Sequence, residues 1–126
     1  MNTSEVFYRC MFCGNIVGLI KDGGGELVCC GKPMKKLQAN TSDASEEKHV
    51  PATKREKGKI VVQVGSAIHP MTEEHYIEWI AVVYEGGMEI ISLSPSDEPK
   101  GEFGDRKNVE VFAYCNLHGL WKAKLD

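Results

Sequence analysis

The sequence predicts a mainly β chain, with a small metal-stapled knuckle ahead of an antiparallel β-sandwich. Three observations carry that expectation. Four of the five cysteines fall between residues 10 and 30 in a glycine-rich stretch. A polar segment from Gln38 to Lys48 follows, with almost nothing apolar in it. From Lys59 onward apolar residues alternate with a period of two in several short runs, and no stretch carries a convincing period of 3.6. Short strands without helical crossovers favour an antiparallel sandwich. The expected division is 1–37 for the knuckle, 38–48 for a linker or surface loop, and 49–126 for the sandwich.

In order along the chain, Val6-Phe7-Tyr8 and Glu26-Leu27-Val28 read as short strands, with Gly14, Gly23, Gly24, Gly25 and Gly31 at turns. A unit this small cannot bury enough apolar surface to stand alone and needs a staple such as a metal. Lys54, Arg55, Lys57 and Lys59 read as a solvated segment leading into a strand. Ile60, Val62 and Val64 then share one face. In the next strand Ile77, Trp79, Ala81 and Val83 share a face with Tyr76, Ile80, Val82 and Tyr84 opposite, so both of its sides are expected to be buried. Glu85-Gly86-Gly87 is a hairpin turn into Met88–Leu93, and Ser94–Gly101 is a loop. Val109, Val111, Ala113 and Cys115 face one way with Phe112 and Tyr114 opposite, and Leu120–Leu125 closes the chain.

Composition excludes some functions. A net charge of -3 and a pI near 5.8 argue against nucleic-acid binding, which needs a basic face. No apolar run approaches a membrane span, and no charged segment followed by an apolar one opens the chain, so a soluble, cytoplasmic protein is expected. Without a secretory signal the acceptor-like triplets Asn2-Thr3-Ser4 and Asn40-Thr41-Ser42 carry no weight. In a reducing compartment cysteines spaced like these serve metals or redox catalysis more often than disulfides.

Cys10-Met11-Phe12-Cys13 and, after fifteen intervening residues, Cys29-Cys30 supply four soft donors suited to tetrahedral zinc or iron. The adjacent pair is the telling half, because neighbouring side chains diverge and can share one metal only at a distorted angle. A purely structural zinc knuckle is the plainest reading. A thioredoxin-type CxxC lacks its βαβ context, and a phosphate loop over Gly25–Lys32 has the wrong spacing, with Pro33 where Ser or Thr belongs.

His49, His69, His75, Cys115 and His118 remain, all at expected strand ends or loops, which cluster at one rim of a sandwich. Singly each is an ordinary surface or core residue. Together they exceed what closed tetrahedral zinc takes. A blue-copper site of two histidines and one cysteine with Met71 would leave two histidines without a role. Five ligands on iron would leave one of six positions open, with a thiolate pushing electron density towards it.

The pattern Cys10-x-x-Cys13, Cys29-Cys30, Glu47-Lys48-His49-Val50-Pro51, His69-Pro70 with His75, and Cys115-Asn116-x-His118-Gly119 resembles desulfoferrodoxin, the two-iron class of superoxide reductase. The resemblance spans nearly the whole chain and meets every cysteine and histidine. It implies a desulforedoxin-like domain whose Cys10, Cys13, Cys29 and Cys30 hold a distorted tetrahedral iron. It further implies an immunoglobulin-like sandwich with a square-pyramidal iron, His49, His69, His75 and His118 equatorial and Cys115 axial.

The implied reaction is one-electron reduction of superoxide to hydrogen peroxide, part of oxygen detoxification in anaerobes, with a rubredoxin-like donor and a homodimer. Lys48 is then the cation that attracts superoxide and orders a proton-delivering water, and Glu47 the carboxylate that closes the open position of the oxidised site, with Glu46 as its neighbouring alternative. A non-catalytic electron-transfer or metal-storage protein is the competing class. It leaves Glu47 and Lys48 without roles.

Overall fold

The computed structural model describes residues 6–41 and 44–126. The triplet at 2–4, the Ser42 that ends the second triplet, residue 43 of the expected linker and the first five residues of the expected knuckle lie outside that description.

The knuckle carries five very short strands, β1 (Phe7–Arg9), β2 (Ile16–Gly18), β3 (Val28–Cys29), β4 (Lys32–Pro33) and β5 (Lys35–Lys36). β1 pairs antiparallel with both β2 and β5, and β3 with β4. The polar stretch up to Lys48 is not all loop, because a single helical turn, α1 (Glu46–His49), forms at its end. Its acidic residues sit at the N-terminal end and Lys48 and His49 at the C-terminal end, the order the helix dipole favours.

Seven strands follow. β6 (Pro51–Glu56), β7 (Lys59–Val64) and β10 (Lys100–Gly104) form one antiparallel sheet in the order β10-β7-β6. β8 (Ile77–Tyr84), β9 (Gly87–Ser92), β11 (Val109–Cys115) and β12 (Gly119–Leu125) form the other, ordered β12-β11-β8-β9. The expected sandwich is present, split three strands against four. Two of its strands differ from the sequence reading. The basic run lies partly within β6, and the loop expected through Gly101 ends earlier, at β10. Both are edge strands whose outward residues are charged and whose inward positions are few, so their alternation is weak.

Ile60, Val62, Val64 and Phe103 of the smaller sheet pack on Ile80, Val82, Val109, Val111 and Ala113 of the larger one, all nearly inaccessible to solvent. The opposite face of the larger sheet is covered by the knuckle. Phe7 lies against Ala81, Val83, Phe112, Tyr114 and Leu120, flanked by Ile16, Leu37 and Trp79. Its ring meets Trp79 at 4.8 Å and Phe112 edge-on at 5.2 Å. The molecule therefore has three layers, and β8 and β11 are buried on both sides because they form the middle one.

One face assignment is corrected. Ile77 packs with Ile80 and Val82 in the core between the sheets, and not with Ala81 and Val83. The register shifts here, Tyr114 facing Trp79 and Cys115 facing Ile77, so that Glu78 is an extra residue on β8. A bulge of this kind reverses the facing of every residue beyond it.

Phe7 is the main apolar tie between the knuckle and the larger sheet. Phe7→Ala is expected to cost about 3 kcal/mol or more in denaturant unfolding. A loss below about 1 kcal/mol would mean that the knuckle is not anchored through this ring.

Candidate metal centres

The first centre is built from two turns. The sulfurs of Cys10, Cys13, Cys29 and Cys30 all lie within 4.8 Å of one another. Cys10 and Cys13 enclose a turn closed by the Gly14 N–H to the Cys10 carbonyl, where Gly14 has φ +84°. Divergence of the adjacent pair is overcome by the backbone, since Cys30 sits at φ +54° and Gly31 at φ +73°. Two successive left-handed residues turn the second thiol back to the side of the first.

The Cys13 and Cys29 sulfurs are 3.6 Å apart. Tetrahedral ligands at metal–sulfur bonds of about 2.3 Å would stand about 3.8 Å apart. Backbone N–H groups of Cys13 and Asn15 point at the Cys10 and Cys13 sulfurs, both at 3.5 Å, and the Asn15 amide reaches the Cys29 sulfur at 3.7 Å. The backbone N–H groups of Cys13 and Phe12 stabilise the Cys10 thiolate, bringing its pKa down to about 6. Hydrogen bonding to the sulfurs of Cys10, Cys13 and Cys29 pushes Cys30 up to about 12. Four thiolates cannot gather here without a cation to neutralise them.

The second centre draws on every layer junction at one end of the sandwich. His49 ends α1, His69 and His75 lie in the β7–β8 connection, and Cys115 and His118 close the β11–β12 hairpin. The four imidazoles form a closed ring in the order His49, His69, His75, His118. Successive ring centroids are 4.7, 4.6, 5.1 and 4.9 Å apart and nearly perpendicular, and His49 and His75 face each other across the ring at 6.1 Å. Ligating atoms of His49, His69, His75 and Cys115 lie within 4.8 Å of one another. His118 joins them through Nδ1, 3.1 Å from His49 Nε2 and 3.9 Å from the Cys115 sulfur.

Proton positions follow from the partners. His49 Nδ1 donates to the Ser45 carbonyl and His69 Nδ1 to the Pro70 carbonyl, both at 2.6 Å, since a carbonyl can only accept. Each neutral ring has then used its one N–H. Their Nε2 atoms nonetheless stand 3.2 Å apart, lone pair against lone pair. Nothing in the protein resolves that contact, and a cation between them would. His75 Nε2 is likewise buried with no hydrogen-bond partner among the described residues. Ligands at right angles on metal–nitrogen bonds of about 2.1 Å stand about 3.0 Å apart, against about 3.4 Å at a tetrahedral angle. The observed 3.1 and 3.2 Å match the right angle.

Burial is the largest influence holding His49 and His75 below the usual imidazole range, with the Lys48 charge a smaller contributor to both, and burial takes His69 down to about 4. Burial raises the Cys115 thiol, while the backbone N–H groups of His118 and Leu117 favour its thiolate. The cluster thus keeps neutral imidazoles around a sulfur that only a cation would ionise, a donor set that fits iron.

Glu47 and Lys48 are exposed on α1, immediately before the buried His49. Their turn is held by its backbone. The Glu47 carbonyl accepts from the Ala67 N–H at 3.0 Å and the Ser66 hydroxyl at 3.3 Å, and the Gly65 N–H donates to the Val50 carbonyl at 3.2 Å. Trp121 packs on His49 with ring centroids 5.0 Å apart and donates its indole N–H to the His118 carbonyl at 3.2 Å. Three contributors escaped the sequence reading: Gly65, Trp121 and the Asn116 side chain. Asn116 stands inside the Cys115–His118 motif, where its position was the available signal.

Family models described as desulfoferrodoxin and as desulfoferrodoxin, N-terminal domain, match residues 41–124 and 2–37. A desulfoferrodoxin homolog of Archaeoglobus fulgidus is 53% identical over 119 residues, 92% of this chain and 94% of the relative. The desulfoferrodoxin of Nitratidesulfovibrio vulgaris is 48% identical over 118 residues, 93% and 94% of the two chains. Among solved structures, the superoxide reductase from Treponema pallidum superposes with a TM-score of 0.75 at 30% identity, over 94% of this chain and 98% of that one.

Gly65 has φ +84°, and a Cβ there would meet the carbonyl oxygens of Lys48 at 2.7 Å, Glu47 at 2.8 Å and Ala67. Gly65→Ala is therefore expected to displace the turn before His49 and to destabilise the fold by about 2 kcal/mol or more. Chemical unfolding of the variant measures this, and an unchanged midpoint would show that the turn yields freely.

Proposed function

The chain belongs to the desulfoferrodoxin family, and on that premise we propose that it is a superoxide reductase with two non-haem irons, one held by four cysteines and one by four histidines and a cysteine. The square of imidazoles enclosing two opposed lone pairs, with the Cys115 sulfur beside it, carries the reading. His49, His69 and His75 through Nε2, His118 through Nδ1, and Cys115 through sulfur are the ligands of the catalytic iron. Cys10, Cys13, Cys29 and Cys30 are those of the other. Iron held at the histidine centre supplies the electron that, with two protons, converts superoxide to hydrogen peroxide.

The protein's own groups prepare that reaction. Carbonyls of Ser45 and Pro70 fix the tautomers that leave Nε2 of His49 and His69 free. Lys48 presents an exposed cation beside the cluster and draws a small anion towards it. Glu47, on the same turn, closes the site in its oxidised state. In this reading residues 1–37 are the tetrathiolate domain, 38–48 the linker and 49–126 the catalytic domain. A small rubredoxin-like donor, a homodimer and a cytoplasmic location complete it, supported by the family resemblance and, for the compartment, by cysteines directed at metal and not paired. No helix among the described residues is long and apolar enough to cross a membrane.

Pulse radiolysis of the anaerobically reduced protein, with metal content measured on the same sample, tests the reading. Two irons per chain, near diffusion-limited loss of superoxide and no evolved oxygen are expected. Lys48→Ile should slow the bimolecular step on the order of tenfold and flatten its dependence on ionic strength. Slow reaction at a filled site would favour electron transfer or storage, and copper or zinc in the histidine centre would overturn the assignment.

A further inference from the structure

Cys115 ends β11 and His75 lies in the loop just before β8, and the two meet where the β8–β11 ladder is irregular. The register shift between Tyr114 and Cys115 places an extra residue, Glu78, on β8 just after this point. A ladder broken here cannot by itself hold His75 at a set distance from Cys115. The residue after Cys115 supplies the missing pairing with both its backbone and its side chain.

The Asn116 N–H donates to the Tyr76 carbonyl at 3.2 Å. Its side-chain carbonyl accepts from the Tyr76 N–H at 2.9 Å, and its side-chain amide donates to the Glu74 carbonyl at 3.0 Å. One carboxamide thus grips the backbone on both sides of His75, from the position next to Cys115. His75 is otherwise closed onto its own loop through Thr72, whose backbone and hydroxyl bond the His75 N–H and carbonyl at 3.0 to 3.3 Å. Thr72 shapes the loop. Asn116 fastens the loop to the strand that carries the thiol.

We infer that Asn116 is a positioning residue of the histidine centre, its carboxamide setting the distance between the His75 ring and the Cys115 sulfur. The donor and acceptor of the primary amide are both needed, because one partner is an N–H and the other a carbonyl. Asp could keep the bond to Tyr76 but would set a carboxylate against the Glu74 carbonyl. Ala would keep only the backbone bond, so that the half-buried His75, whose enclosed Nε2 has no partner among the described residues, could drift from the thiol.

The inference rests on His75 and Cys115 being ligands of one metal, and the test separates the two. The full chain is loaded at both centres with cobalt(II), and its release to a chelator is followed at each through its own thiolate-to-cobalt absorption. In Asn116→Ala, release from the histidine centre should be about 10- to 100-fold faster with its charge-transfer band shifted, and release from the tetrathiolate centre unchanged. Asn116→Asp should fall between Ala and wild type, and it decides the matter if Ala does not fold.

Wild-type release rate and band position in the variant overturn the inference. So does equal acceleration at both centres, which would mark a general loss of stability. A wild-type protein with no thiolate-to-cobalt band at the histidine centre would instead overturn the ligand assignment itself.

Discussion

The histidine centre imposes the constraint on which the rest of the structure depends. Four imidazoles and a thiol from three separate connections converge at the end of a buried sheet, with two lone pairs aimed at each other across 3.2 Å. Such a contact is repulsive in a metal-free protein, and the fold must hold it in place until a cation relieves it. Rigidity is supplied by β8 and β11, buried on both faces between the smaller sheet and the knuckle. Carbonyls of Ser45 and Pro70 lock the rings of His49 and His69, and Trp121 ties His49 to His118 by packing on the first while bonding the backbone of the second.

The knuckle acquires a second purpose in this light. Its tetrathiolate cluster staples a unit too small to fold on a core of its own, and that unit then covers the outer face of the catalytic sheet. Phe7, three residues before Cys10, is the point of contact. Neighbouring aromatic rings continue from there, with Trp79 stacked on Tyr114 at an interplanar angle of 4°, and Tyr114 precedes Cys115 in the chain. The first metal is thereby linked mechanically to the packing beneath the second, whatever electrons pass between them.

Much of this was legible because cysteine and histidine are scarce here. With five of one and four of the other, each has a place in one of two clusters, and no surplus residue blurs the pattern. Alternation also exposed the central strands, since residues buried on both faces leave little room for polar side chains. What was hidden depends on partners that a linear reading does not contain. The bulge at Glu78, which turns Ile77 to the other face, exists only against β11. β10 carries one buried large residue, Phe103, and becomes a strand by pairing with β7. Cys30 at positive φ could not be anticipated from residue type, because cysteine has no preference for that region.

The most polar stretch of the chain shows why composition understates function. Read as a linker, it ends in the one turn of helix that delivers His49 inward while leaving Glu47 and Lys48 in solvent. That division requires the turn to be held by something other than its side chains, one of which points into the histidine cluster while the others stand in solvent. The backbone does so, through carbonyls that dock on the Gly65–Ala67 turn, and the docking is close enough that only glycine fits at its centre. Backbone anchoring leaves the exposed side chains of Glu47 and Lys48 available for the roles proposed above. A segment with few apolar residues is therefore what this position calls for: its stability comes from its neighbours, and most of its side chains stay exposed.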